Sequence, residues 1–515
     1  MFVRRKKNKS GSTTIVIIDR NGGRFKPVKT IGTSSDAVRI EILYRQGLDW
    51  VDNYGGQMDL FRSQEEAQEE AKTTEQVLTR IENILLNGAR IILYHAFRQV
   101  GFDAIDDDIL KELVIARLCQ PLSKSGTVDY LKSHFDEDIE LHQIYRYLDK
   151  LHNSQQEKIQ QISVEHTRKI LGGKIGLVFY DVTTLYFESD HGDDLRERGY
   201  SKDGKHSQPQ VVLGLLVSSG GYPLSYSLFN GSQYEGYTMI PIVEDFVRRF
   251  DLDDFVVVAD SGLMNQKNIY LLEQGGYKYI IGAKIKSENA DIKSWILSLE
   301  QLDGAFYERN KSENCRLIVG YSENRAKKDA YNREKGVKRL TKAYSCGTLT
   351  KENINRRGYN KFLEISDNIT VSINEEKIIE DRQWDGLKGY ITNTTLQPED
   401  VYRQYRDLWF IERAYRVTKG TLEMRPMFHF TPKRIEAHVC ICFVAYKVYK
   451  ELERILKQTG IILSVDKVLN IAKTITTIRV KLPKSNITLS RTMVLTAKHR
   501  MIEPLLNEEF WRKIT

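Results

Sequence analysis

The stretch "KIGLVFYDVTTLYFES", Lys174 to Ser189, decides the fold. Up to Gly172 the chain keeps a helical period; beyond it apolar and β-branched residues run on in the manner of a strand buried on both faces. One carboxylate interrupts the run: Asp181, directly after "GLVFY". A second apolar run, "FVVVA" from Phe255 to Ala259, also meets an acid, Asp260. Each aspartate is expected where its strand emerges from the core, the position at which α/β sheets hold functional groups rigidly above a crevice. Taken singly, either one also reads as a turn or capping residue, "ADSG" most of all.

The neighbouring segments extend this pattern. "PQVVLGLLVSS", "YPLSYSLFNGS" and "YKYIIGAK" read as further strands, and "MIPIVEDFVRRFDL" and "NQKNIYLLEQGG" as helices, which predicts a mixed α/β sheet with an antiparallel portion over residues 171–285. Residues 1–60 read as a small β-containing appendage. Residues 74–170 read as successive helices beginning in "TTEQVLTRIENIL". The last of them turns Arg146 and Lys150 outward, which suits a helix-turn-helix reader of DNA ends and equally an ordinary bundle. Residues 286–395 are charged and strand-like without long helices, a β-rich insertion. Residues 396–515 return to helix, with Pro398 followed by Glu399 and Asp400 as a favoured helix start.

With 515 residues, 41% of them hydrophobic and 28% charged, the chain can fill several cores. No run of about 18 apolar residues is present, and "MFVRRKKNKSG" is not followed by the apolar segment of a signal peptide, so a cytoplasmic location without membrane partners is expected. Cys119, Cys315, Cys346, Cys440 and Cys442 are scattered, so reduced, structural thiols are expected and zinc is not. The formal net charge is +8, concentrated in patches such as "RRKKNK" at 4–9 and "NREKGVKRLTK" at 332–342. Basic patches interleaved with aromatics suit a polyphosphate partner.

Among these cations one acid stands out. In "YRDLWFIERAYRVTK", Tyr405 to Lys419, no Gly or Pro interrupts a helix, and Tyr405, Leu408, Glu412, Tyr415 and Lys419 fall along one stripe. Glu412 there is either the partner of Arg416 in a surface i,i+4 pair, worth a few tenths of a kcal/mol, or something more. Together with Asp181 and Asp260 it makes three carboxylates in a basic setting. Such a set can hold two hard divalent cations that stabilise the attacking and leaving oxygens of a phosphodiester displacement, while Lys and Arg grip phosphates.

The ordered motifs "FYDVTTLYFES", "VVADSGLMNQKNI" and "YRQYRDLWFIERAYRVTKGTLEMRPMFHF" resemble the DDE transposases of bacterial insertion sequences, in the branch with a Tyr-(2)-Arg-(3)-Glu-(6)-Lys signature. The resemblance spans roughly residues 170 to 455. It implies an RNase H-like core with a β-rich insertion, catalytic and metal-binding roles for Asp181, Asp260 and Glu412, and two Mg²⁺ ions with Mn²⁺ tolerated. Tyr405 and Lys419 take signature positions that handle DNA backbone, with Arg406, Arg416 and Arg425 as further phosphate contacts. Leu408 stands where the signature has Arg, and Arg406, about 200° away on a continuous helix, does not simply replace it. Expected partners are double-stranded DNA, as element inverted repeats and target, and a second copy of the chain on DNA in a bacterial, nucleoid-associated setting. Two other functions fit the same residues: an RNase H-like nuclease or resolvase without strand transfer, and a non-catalytic DNA-binding regulator.

Overall fold

The computed structural model describes the whole chain except residues 22, 55–57, 190, 202–203, 253, 264, 350–352, 354, 356–357, 366–370, 483–484 and 515. Strands β1 (Phe2–Lys7), β2 (Thr13–Asn21) and β3 (Arg24–Ser34) pair antiparallel in that order. Helix α1 (Ala37–Asn53) packs on them; its first turn is capped by the Asp36 carboxylate, which accepts from the Val38 N–H. Helix α2 (Met58–Leu78) and strand β4 (Ile81–Leu85) follow. "TTEQVLTRIENIL" is therefore not one helix: its second half alternates half-buried and exposed residues, the two-residue period of a strand.

Helices α3 (Gly88–Val100), α4 (Asp108–Cys119), α5 (Lys124–Phe135), α6 (Leu141–Lys150) and α7 (Gln156–Ile170) come next. The large sheet begins with β5 (Leu177–Tyr186), β6 (Gln210–Ser218) and β7 (Pro223–Asn230), and continues after α8 (Met239–Phe250) with β8 (Val256–Ala259). Beyond α9 (Gln266–Gln274) lie β9 (Lys278–Ala283), α10 (Ala290–Leu297), β10 (Phe306–Ser312) and β11 (Cys315–Tyr321). A 23-residue helix, α11 (Glu323–Ser345), precedes the small pair β12 (Leu363–Ile365) and β13 (Val371–Ile373), then α12 (Glu375–Arg382) and β14 (Leu387–Thr392). The eight strands are ordered β10-β11-β14-β9-β8-β5-β6-β7, with β5, β8 and β9 parallel and the rest antiparallel. This is the mixed α/β architecture expected.

Residues 286–395 do hold a long helix, contrary to expectation. In α11 Arg333, Gly336 and Leu340 are buried and Val337 packs partly buried beside Leu340, so its inner face mixes a charge and a glycine with few large apolar side chains and its hydrophobic period is weak. The remaining helices are α13 (Pro398–Arg406), α14 (Trp409–Arg416), α15 (Pro432–Gln458), α16 (Val465–Ala472), α17 (Ala497–Ile502) and α18 (Glu508–Ile514). The C-terminal region is not all helix. Strands β15 (Thr476–Lys481) and β16 (Thr488–Met493) form a sheet with β4, as the β-branched run "TTIRV" favours. Two compact units result: residues 1–84 with 477–493, and residues 85–476 with 494–515.

Within the second unit the two-residue period of each strand sorts side chains to opposite faces. Val178, Tyr180, Val182, Val257, Ala259 and Ile281 join one core beneath α8, α9 and α10. Phe179, Leu185, Val258, Ile280, Ile318 and Tyr390 join the other, shared with α3 to α6 and α13 to α15. Asp181 therefore lies on the face of Phe179, Asp260 on that of Val258, and Lys388 on that of Tyr390. No described helix is long and apolar enough to cross a membrane. All five cysteines are free thiols, and only Cys346 is exposed.

Candidate active site

The register of the central strands brings the two aspartates side by side. The parallel β5–β8 ladder ends at Tyr180 opposite Ala259, so Asp181 and Asp260 occupy the next position on adjacent strands. One strand further, Ala259 pairs with Ile281, which sets Gly282 beside Asp260, and Gly282 in turn faces Tyr390 across the antiparallel β9–β14 ladder. Asp260 follows its strand as expected. Asp181 does not: β5 continues to Tyr186, still paired to β6, so only on its β8 side does the ladder stop there.

Helices α13 and α14 cover this row. They are two helices where the sequence predicts one, because the chain tightens between them: Leu408 N–H donates to the Tyr405 carbonyl and Ile411 N–H to the Leu408 carbonyl, bonds of the three-residue type. A π-helical turn, Val417–Thr421, then follows α14 and carries Lys419. Both departures shift the phase of the predicted stripe. Tyr405, Leu408 and Tyr415 are buried, whereas Glu412 is exposed.

Two phenols tie these helices to the acids. Tyr405 Oη donates to Asp260 Oδ1 at 2.9 Å, and Tyr415 Oη donates to the backbone carbonyl of Asp181 at 2.7 Å. Burial raises the pKa of Tyr405, and the negative charge of Asp260 raises it further, so the phenol stays a donor. Gly282 makes the contact sterically possible: a Cβ there would sit 2.5 Å from Tyr405 Oη and 3.0 Å from Ser261 N.

Asp260 and Glu412 open onto one cleft of about 440 Å³, whose walls include Lys388, Arg325, Tyr402, Trp409, Arg406 and Leu408. Among the described residues Glu412 forms no ion pair with Arg416; it faces the cleft instead. Arg406 and Leu408 both line this cleft, although a continuous helix would set them about 200° apart. Sequence reading missed Lys388 and Arg325. Lys388 sits in "DGLKGYITNT", two residues before Tyr390, and strand alternation alone would have assigned it to the same face. Its ammonium stands 4.4 Å from the centre of the Tyr405 ring. Burial lowers its pKa and nearby Arg325 adds to this, against the opposing pull of Asp260 and Glu412.

The other predicted residues are more dispersed. The Lys419 ammonium lies 6.0 Å from the ring of Tyr415, and the Arg425 guanidinium 5.7 Å from that of Tyr186 at the end of β5. Arg416 is exposed on α14. On α6, Ile144, Tyr147 and Leu148 face the core and Arg146 is exposed, but Lys150 is engaged with Asp107 at 2.6 Å. The donor chemistry of Asp181, Asp260 and Glu412, all hard carboxylate oxygens, suits divalent cations. As they stand, no group of three or more His, Cys, Asp or Glu among the described residues is drawn together tightly enough to hold an ion.

Residues 172–447 match the family model described as the transposase DDE domain. No curated protein matches the chain. Among solved structures, a piggyBac transposase synaptic complex with hairpin DNA is similar at 9% identity and a TM-score of 0.37, covering 83% of this chain and 72% of that one. A Mos1 transposase paired-end complex with the left transposon end is similar at 10% identity and a TM-score of 0.16, covering 31% and 53%. A Mos1 mariner paired-end complex with Mn gives 11% identity and a TM-score of 0.15, covering 31% and 54%.

Proposed function

This chain belongs to the transposase DDE-domain family, and from that premise we propose that Asp181, Asp260 and Glu412 are its catalytic carboxylates. The protein is a DDE transposase, an enzyme that cuts DNA and transfers strands in a metal-dependent reaction. One observation carries the assignment: Tyr405 binds Asp260 from α13 while Glu412, on the next helix, opens onto the same cleft. Asp181, Asp260 and Glu412 would hold two divalent cations, Mg²⁺ with Mn²⁺ tolerated. When bound, such ions stabilise charge on the attacking and leaving oxygens of a phosphodiester.

The chain's own residues do the rest. Tyr405 holds the Oδ1 oxygen of Asp260, a residue that lines the cleft; Tyr415 fixes the backbone of Asp181 beneath α14. Lys419, Arg416, Arg425 and Arg406 hold backbone phosphates, Arg406 serving the cleft whose signature position is Leu408. We assign the fold to the RNase H-like cores with an insertion between the second and third acids, and the enzyme to the bacterial insertion-sequence branch with the Tyr, Glu and Lys signature. The helical region 74–170 reads element ends through α6, led by Arg146; Lys150 contributes when DNA displaces its pairing with Asp107. Two copies act on paired DNA ends in the bacterial cytoplasm, at the nucleoid.

The test uses purified protein, Mg²⁺ and DNA carrying its own flanking ends. Wild type should cut at those ends and join a pre-cleaved 3′-OH end to a target plasmid. Asp181→Ala and Glu412→Gln should bind the ends and do neither. Full metal-dependent cleavage by Asp181→Ala would end the assignment, and cutting without joining would favour a nuclease or resolvase.

A further inference from the structure

A second cleft, of about 240 Å³, adjoins the first and shares Lys388, Arg325 and Tyr405 with it. The two differ in charge. Asp260, Asp303 and Glu412 line the first, whereas the second is lined by Lys284, Lys286, Arg325 and Lys388 without a carboxylate. Lys286 is held by Asp381 at 2.6 Å, and among the described residues the ion pair of Arg325 is a loose, exposed contact to Asp329 at 3.6 Å. Lys388 is half-buried between the two clefts, above the Tyr405 ring, and forms no ion pair among the described residues. A partly desolvated ammonium beside a guanidinium costs free energy until an anion joins it; the lowered pKa of Lys388 agrees with that.

Ser261, the residue directly after Asp260, lines the second cleft, so an anion seated there is one residue from the carboxylate of the first. We propose that the second cleft binds a phosphodiester of the DNA strand being cut, the phosphate neighbouring the scissile one, with Lys388 and Arg325 as its positioning residues. The strand passes over Tyr405 from one cleft to the other, and the fixed neighbouring phosphate sets which bond lies at the acids. This rests on the catalytic reading of Asp260 and Glu412.

The experiment measures binding and cleavage of end DNA in which single phosphates on either side of the scissile bond are replaced by uncharged methylphosphonates. For wild type, one neighbouring position should lower affinity about five- to tenfold, the scale of one lost phosphate contact. Lys388→Gln should show a similar loss with unmodified DNA and no further loss at that position, while Lys388→Arg restores both, a coupling that general loss of structure does not produce. Arg325→Gln should couple to the same position. Independent, multiplying effects at every position would overturn the proposal, as would competition by inorganic phosphate with no positional effect. Glu412→Gln, run alongside, separates the two failures. If it still cleaves, the catalytic assignment falls; if it is silent while Lys388 couples to no phosphate, only the second cleft falls.

Discussion

The hydroxyl of Tyr405 and the carboxylate of Asp260, 145 residues apart in sequence, meet at 2.9 Å, and the bond fixes α13 to the end of β8. Because the phenol is buried and its pKa is raised, it remains a donor at neutral pH.

Tyr405→Phe keeps the ring that packs on Tyr390 and removes only this donor. Stability should fall by about 1 kcal/mol, the net worth of a typical hydrogen bond. Asp260 loses its orientation, so a metal titration of end cleavage should show the half-maximal concentration displaced upward several-fold. An unchanged titration curve would mean that the bond serves packing alone.

Gly282→Ala should do more damage, since the new Cβ would stand 2.5 Å from Tyr405 Oη. In a Tyr405→Phe background that atom is gone, and the approaches to Ser261 N at 3.0 Å and Ser261 Cβ at 3.2 Å remain. The two substitutions should therefore be non-additive in thermal melts, Gly282→Ala costing less in the second background. Additive losses would show that the glycine answers to the strand backbone instead.

Much of this arrangement is legible in the amino-acid sequence. The apolar runs ahead of Asp181 and Asp260 mark neighbouring core strands, and the composition around Glu412 marks helical structure there, although the fold divides it into α13 and α14. What escapes is set by contacts local patterns do not encode. No Gly or Pro announces the tight turn at Asp407 and Leu408, and α11 buries an arginine and a glycine where a hydrophobic stripe would be sought. Lys388 is one cation in an ordinary strand until the fold sets it over Tyr405. Lys150 faces outward as expected, yet Asp107, at the start of α4, already engages it.

Acid should loosen the helical core at one buried network. Burial alone would raise the Glu451 pKa, but hydrogen bonds from Arg454 and His166 outweigh it and bring the carboxyl from 4.5 to about 2. His166 shifts the same way relative to its ordinary 6.5, burial being the largest cause. Both folded values lie below the unfolded ones, so the unfolded chain takes up protons first and stability drains as pH falls. The stabilisation is complete above about pH 6.5; it declines first through His166 and then, between about 4.5 and 2, through Glu451. Glu451→Gln should cost about 3 to 5 kcal/mol at pH 7, as breaking one side of a buried pair does, and should flatten the acid limb of a melting-temperature profile. A limb of unchanged steepness would place the acid sensitivity elsewhere.

Lys419 offers the sharpest division between gripping DNA and cutting it. Its ammonium lies against Tyr415, whose hydroxyl holds the Asp181 backbone, yet it extends from a π-helical turn beyond the end of α14. If its task is one backbone phosphate, Lys419→Ala should weaken binding to element ends and to unrelated DNA alike, and should reduce the slope of log affinity against log salt by about one. Cleavage, slowed at low DNA concentration, should recover when DNA saturates the enzyme and should keep its metal dependence. Loss of cleavage at saturating DNA, with the salt slope unchanged, would instead put the lysine among the groups that act on the reacting phosphate.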